Sequence, residues 1–107
     1  MAKKLPPIHP GEILREEFLI PLKLTPYAVA AALHVPRTRI ERIAREEKPV
    51  TADTALRLGH WFGTSPEFWL NLQKLYELRL AREEVGDRVE RLPKLTERKR
   101  IKARRAA

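Results

Sequence analysis

The stretch TPYAVAAALHVPRTRIERIARE, residues 25–46, decides the fold. Thr25 followed by Pro26 reads as a helix start. The hydroxyl can accept from a free N–H, and a proline in the first turn gives up nothing the helix would use. The alanines behind it admit a neighbouring helix at close range. His34-Val35 breaks the run, and Pro36 opens a second short helix anchored by Ile40 and Ile43. Two short helices, over 26–33 and 36–45, thus flank a tight turn.

The rest of the chain extends the same pattern. Pro10 opens a first helix with Glu12 at its positive end, and Leu14, Phe18 and Leu22 recur as a core stripe. Pro21 lies near its end and disfavours helical geometry at Ile20. Thr51-Ala52-Asp53 caps a fourth helix that turns Ala55, Leu58 and Phe62 inward and stops at Gly63. Ser65-Pro66-Glu67 opens a fifth, running to about Glu84 with Gly86 as its stop. The fold class is therefore all-α, with five helices. Residues 1–9 form an N-terminal arm, 10–86 the domain, and 87–107 a basic, flexible tail ending in RKRIKARR.

The fifth helix has more apolar surface than one core needs. Phe68, Leu72, Leu75 and Tyr76 make one stripe, while Trp69, Leu70, Leu78 and Leu80 spread around the rest. A helix apolar on much of its circumference is buried on more than one side. In a chain of 107 residues the second side points to a homodimer, with Trp69, Leu78 and Leu80 at its interface.

Composition bounds the function. The length allows one small domain, and 43% hydrophobic residues can supply its core. The lack of cysteine excludes disulfides, thiolate metal sites and cysteine nucleophiles, and suits a cytoplasmic protein. No apolar run approaches a membrane span, and MAKKLPPIHP has no signal-peptide core. The three histidines are too separated for a metal site; His34 reads as a turn residue and His60 as a surface one. Ser65 reads as a cap, and Glu16-Glu17 and Glu46-Glu47 as solvated neighbours that point apart. Trp61 and Trp69 read as core or dimer-interface residues. No catalytic set, no phosphate-cradling glycine loop and no cofactor are expected, so the chain does not read as an enzyme.

The net charge of +8 becomes informative once it is located. Residues 1–9 carry +2, residues 10–85 hold eleven basic and eleven acidic groups, and residues 86–107 carry nine basic against three acidic. Within that neutral middle, residues 35–45 hold four arginines against one acid, Glu41. One reading is a solvated face held by Arg37–Glu41 and Glu41–Arg45 pairs. The other is a helix-turn-helix, whose second helix lies in the major groove with its first residues towards base edges. The gathering of charge behind a tight turn favours the second. Arg37, Thr38 and Arg39 are then candidates for base contacts, Arg42 for a base or a phosphate, and Arg45 and Lys48 for phosphates. By default the tail merely solubilises the chain; of the two functional readings, added DNA affinity is favoured over contact with a protein partner.

HPGEIL at 9–14, LTPYAVAAALHVPRTRI at 24–40 and VTADTALRLGHWFGTSPEFWLNLQ at 50–73 resemble the HigA family of antitoxins, also called VapI-like. The family belongs to the XRE group of helix-turn-helix proteins, and the resemblance covers about residues 8–85. It implies a five-helix, lambda-repressor-like domain that forms a homodimer with two coupled activities. One is binding a palindromic operator in double-stranded DNA to repress its own toxin–antitoxin operon; the other is neutralising a HigB-type toxin that cleaves mRNA. It supports the recognition role of Arg37, Thr38 and Arg39 and adds Tyr27 as a backbone contact. Two departures stand out. Pro26 replaces a frequent glutamine, and Arg45-Glu46 replaces a frequent Asn-Gly pair, so the third helix is expected to run further or turn differently without a glycine cap. The alternatives are an orphan regulator with no toxin, or a protein-interaction module that has lost DNA binding.

Overall fold

The computed structural model describes residues 7–95 and Arg104. Between residues 7 and 95 the chain forms five helices and no strand. We label them α1 (Pro10–Ile13, continuing as a π-helical stretch Leu14–Leu19), α2 (Pro26–Leu33), α3 (Arg37–Ala44), α4 (Ala52–Phe62) and α5 (Pro66–Glu90). The expected caps are in place. Thr25, Thr51 and Ser65 accept from the backbone N–H groups of Ala28, Thr54 and Phe68. No helix among the described residues is long and apolar enough to cross a membrane.

α1 departs from the anticipated stripe. The Ile20 N–H bonds to the Arg15 carbonyl five residues back, at 3.0 Å, which widens the turn beyond 3.6 residues. Leu14 and Leu19 are therefore the buried pair, with Phe18 packed against the core, while Leu22 is 56% exposed. The i, i+4, i+8 stripe fails at its last member because the helix changes pitch before reaching it.

α2 and α3 pack on one another through Val29, Ala30 and Leu33 on one side and Ile40, Ile43 and Ala44 on the other. α4 lies on α5. Trp69 is the largest fully buried side chain, with ring centroids 5.3 Å from Phe18 and 5.1 Å from Phe68, and its Nε1–H donates to Thr64 at 2.8 Å. At 0% exposure it belongs to the core of the single chain and has no surface left for a partner, which corrects its expected place at a dimer interface. Leu78 and Leu80 remain exposed. The stripe facing the core is Trp69, Leu72, Gln73 and Tyr76, not the one containing Phe68 and Leu75, which are both exposed.

α5 also passes through Gly86 and ends at Glu90. A glycine costs a helix only roughly 1 kcal/mol relative to alanine, too little to stop one already propagating. The helix therefore takes in residues assigned to the tail. Most of the expected tail, residues 96–103 and 105–107, lies outside the described residues, as do residues 1–6 of the arm.

Candidate nucleic-acid interface

α3 is set in place by its backbone. A Cβ added at Gly11 would lie 1.7 Å from the Ile43 carbonyl oxygen, so the first turn of α1 touches the α3 main chain with no side chain between them. His9 and Pro10 put Gly11 there. The His9 ring caps α1 by accepting from the Gly11 N–H at 2.8 Å, and proline fills the first turn. HPGE is thus a docking element for α3.

The loop after α3 is held from three sides. Arg15 donates to the Ala44 carbonyl and pairs with Glu46 at 3.3 Å. His9, buried at 3% exposure, also hydrogen-bonds the Lys48 backbone. Its Nδ1 is an acceptor, so the ring proton faces that bond. Burial pulls the His9 pKa below its ordinary value of 6.5, against smaller raising effects of Glu46 and the Lys48 bond. From α5, the buried Gln73 accepts from the Val50 N–H at 2.8 Å and donates to Glu77 at 2.9 Å.

The missing glycine after α3 has a definite outcome. Glu46 itself takes the left-handed conformation, with φ at 64°. The Glu47 N–H reaches back to the Arg42 carbonyl at 2.8 Å and the Glu46 N–H to Ile43 at 2.9 Å, the bond pair of a glycine-type helix end. α3 therefore stops at Ala44 and does not run on. The cost of a left-handed non-glycine residue, about 1–2 kcal/mol, is accepted at this turn. The Arg15 pair turns Glu46 towards α1.

With Ile40, Ile43 and Ala44 inward, a helical repeat of 3.6 residues points Thr38, Arg42 and Arg45 outward. All three are exposed, and among the described residues neither Arg42 nor Arg45 has a side-chain partner. The flanks differ. Arg37 pairs with Glu41 at 2.9 Å, as the solvated-face reading expects, whereas Glu41 does not pair with Arg45. Arg39, on the other flank, pairs with Asp53 of α4 at 2.6 Å. Thr38, Arg39, Arg42 and Lys48 line one open cleft of about 670 Å³. Arg45 sits apart, sharing a depression with Pro26 and Arg15. Tyr27, at the start of α2, is 66% exposed.

Two residues of the cleft were not anticipated. In the sequence Asp53 reads only as part of a cap, and Arg57 does not stand out. Arg57 donates to Asp53 at 3.0 Å and to the Leu33 carbonyl at 2.7 Å. Hydrogen bonds from Arg57 and then Arg39 hold the Asp53 carboxyl below its ordinary pKa. The Asp53–Arg57 i,i+4 spacing was the available signal. No group of acidic or histidine side chains suited to a metal ion occurs among the described residues.

A short helix bracing a second one that carries exposed cations opposite its core face defines a helix-turn-helix unit. No protein-family model matches the chain. Individual proteins do. Virulence-associated protein I of Dichelobacter nodosus is 52% identical over 81 residues, 76% of this chain and 75% of the relative. The Pseudomonas aeruginosa antitoxin HigA, solved with the higBA promoter, superposes with a TM-score of 0.80 at 44% identity, over 84% of this chain and 99% of that one. Antitoxin GraA in complex with its operator gives 0.81 at 43% identity, over 90% and 98%. The chain belongs to the HigA/VapI-like family of helix-turn-helix antitoxins.

Proposed function

We propose that this chain is a DNA-binding antitoxin that works as a homodimer in the cytoplasm, by binding and not by catalysis. It seats α3 of each copy in the major groove of a palindromic operator and represses its own toxin–antitoxin operon. It also neutralises a HigB-type, mRNA-cleaving toxin. The observation that carries the DNA role is the outer face of α3, where Arg42 and Arg45 have no side-chain partner among the described residues, in a domain that is neutral over residues 10–85. Arg37, Thr38 and Arg39 lie in the first turn, where base edges come within reach. Tyr27 and Lys48 flank them as backbone contacts. Two solved relatives, HigA with the higBA promoter and GraA with its operator, support the same role.

The dimer is supported by the far half of α5. No residue from 77 to 95 is buried, yet Leu78, Leu80 and Val89 lie on its surface. The basic residues of the tail add sequence-independent DNA affinity.

A gel shift with the DNA upstream of the gene tests the operator role. Replacing Arg37 and Arg39 by alanine should abolish the shift while light scattering still returns a folded dimer; unchanged affinity would overturn the recognition-helix assignment. A monomer at micromolar concentration would overturn the dimer. Growth rescue on co-expression with the neighbouring gene product tests toxin neutralisation, and operator binding without rescue would leave an orphan regulator.

A further inference from the structure

We propose that Asp53 is a specificity-determining residue of the DNA-reading surface, holding Arg39 in the orientation in which it reads a base. The inference rests on the proposed DNA-binding role and deepens it, because it sorts the arginines by task.

Asp53 is the single acid among the described residues lining the cleft, where Arg39, Arg42, Lys48 and Arg57 supply the cations. A carboxylate on a surface meant for phosphates repels them, so it weakens DNA binding unless it organises a cation. The geometry shows which one. A single oxygen, Oδ2, accepts from a terminal nitrogen of Arg39 at 2.6 Å and from Nε of Arg57 at 3.0 Å. Arg57 in turn donates to the Leu33 carbonyl at 2.7 Å. A chain of bonds therefore runs from the end of α2, through the first turns of α4, to the first turn of α3. Its last member is an arginine with side-chain exposure of 39%, held but still accessible.

Arginine has five N–H donors in a planar fork, and the Asp53 contact occupies only one corner. The remaining donors can pair with guanine O6 and N7, a contact that depends on orientation more than on charge. An arginine held in advance loses less side-chain freedom on binding. Arg42 and Arg45, with no side-chain partner among the described residues, suit phosphates, for which position tolerances are looser. Arg39, held from a neighbouring helix, reads, whereas Arg42 and Arg45 grip.

The test begins with a duplex selected by the wild-type protein from a randomised library, compared with a scrambled duplex of the same length and composition. The ratio of the two affinities is measured across a salt series. Asp53→Asn should lower that ratio about tenfold or more, by weakening the selected duplex and tightening the scrambled one. Arg39→Lys, which keeps the charge and loses the fork, should lower it similarly, and the double variant should go no further. An unchanged ratio in Asp53→Asn, or losses that simply add in the double variant, would overturn the assignment. Thermal melts accompany each variant. If Asp53→Asn does not fold, Asp53→Ser, which suits the first turn of a helix, carries the same comparison. If the wild type enriches no sequence at all, the DNA-reading role itself fails, a result distinct from failure of the Asp53 assignment.

Discussion

Turned inward, α3 meets its neighbours at contact distance; turned outward, it offers arginines that no other side chain in the described structure restrains. The inner side has Ile40 and Ile43 fully enclosed and the Ile43 carbonyl against Gly11. The outer side has Thr38, Arg42 and Arg45, all exposed. The difference teaches how a small domain divides its work. Stability is concentrated where side chains cannot vary, so the outer face is free to vary. That independence can be broken from either side.

The largest effect should come from Gly11→Ala. A methyl group cannot share space with the Ile43 oxygen, so α1 and α3 must separate. The expected loss is about 3 kcal/mol, at the upper end of overpacking, read as a shifted urea midpoint. A melt equal to wild type would show that the helices do not touch there.

The reverse experiment is Arg42→Ala combined with Arg45→Ala. Folding stability should stay within about 0.5 kcal/mol, as for surface changes generally. The slope of log affinity against log salt should fall by about two if both arginines contact phosphates. A stability loss of the size expected for Gly11→Ala would mean that the two sides are not independent.

His9 links the inner side to pH. Its folded pKa is depressed below 6.5, chiefly by burial, so the folded state favours the neutral ring. Its stabilising contribution is complete above pH 6.5 and is lost as pH falls through the folded value. Melting temperature should therefore drop between about pH 7.5 and 5, and His9→Asn, which keeps a capping acceptor without titrating there, should flatten that part of the profile. An identical pH profile in both proteins would rule out the ring as its source.

The smallest change is a gain. Glu46→Gly relieves the left-handed strain, at the expense of chain entropy and of an exposed ion pair with Arg15. The net stabilisation should be about 0.5 kcal/mol, seen as a small rise in melting temperature.

Local features are legible in the sequence. Thr25-Pro26, Thr51 and Ser65-Pro66 announce helix starts because a cap needs only its own next three residues. The arginines behind the turn were visible because their segregation is a property of the string. What failed depends on distance or on pitch. Leu22 was misplaced because a stripe assumes 3.6 residues per turn, and the Arg15–Ile20 bond breaks that assumption. Trp69 was assigned to an interface because apolar content does not say which apolar face finds the core. His9 passed as an isolated histidine because its partners beyond Gly11, Lys48 and Tyr76, are remote in sequence. Asp53 looked like a cap until Arg39, fourteen residues earlier, came beside it.

The bare meeting of Gly11 with the Ile43 carbonyl bears on how such proteins diversify. What aims α3 there is main chain against main chain, so the aim does not depend on the outward letters of the helix. Those letters can be exchanged by point substitution without tilting the frame that carries them. On the proposed DNA-binding role, a lineage can thus acquire new operators while keeping one scaffold, and duplicated copies can part company in the sequences they address before they differ in shape.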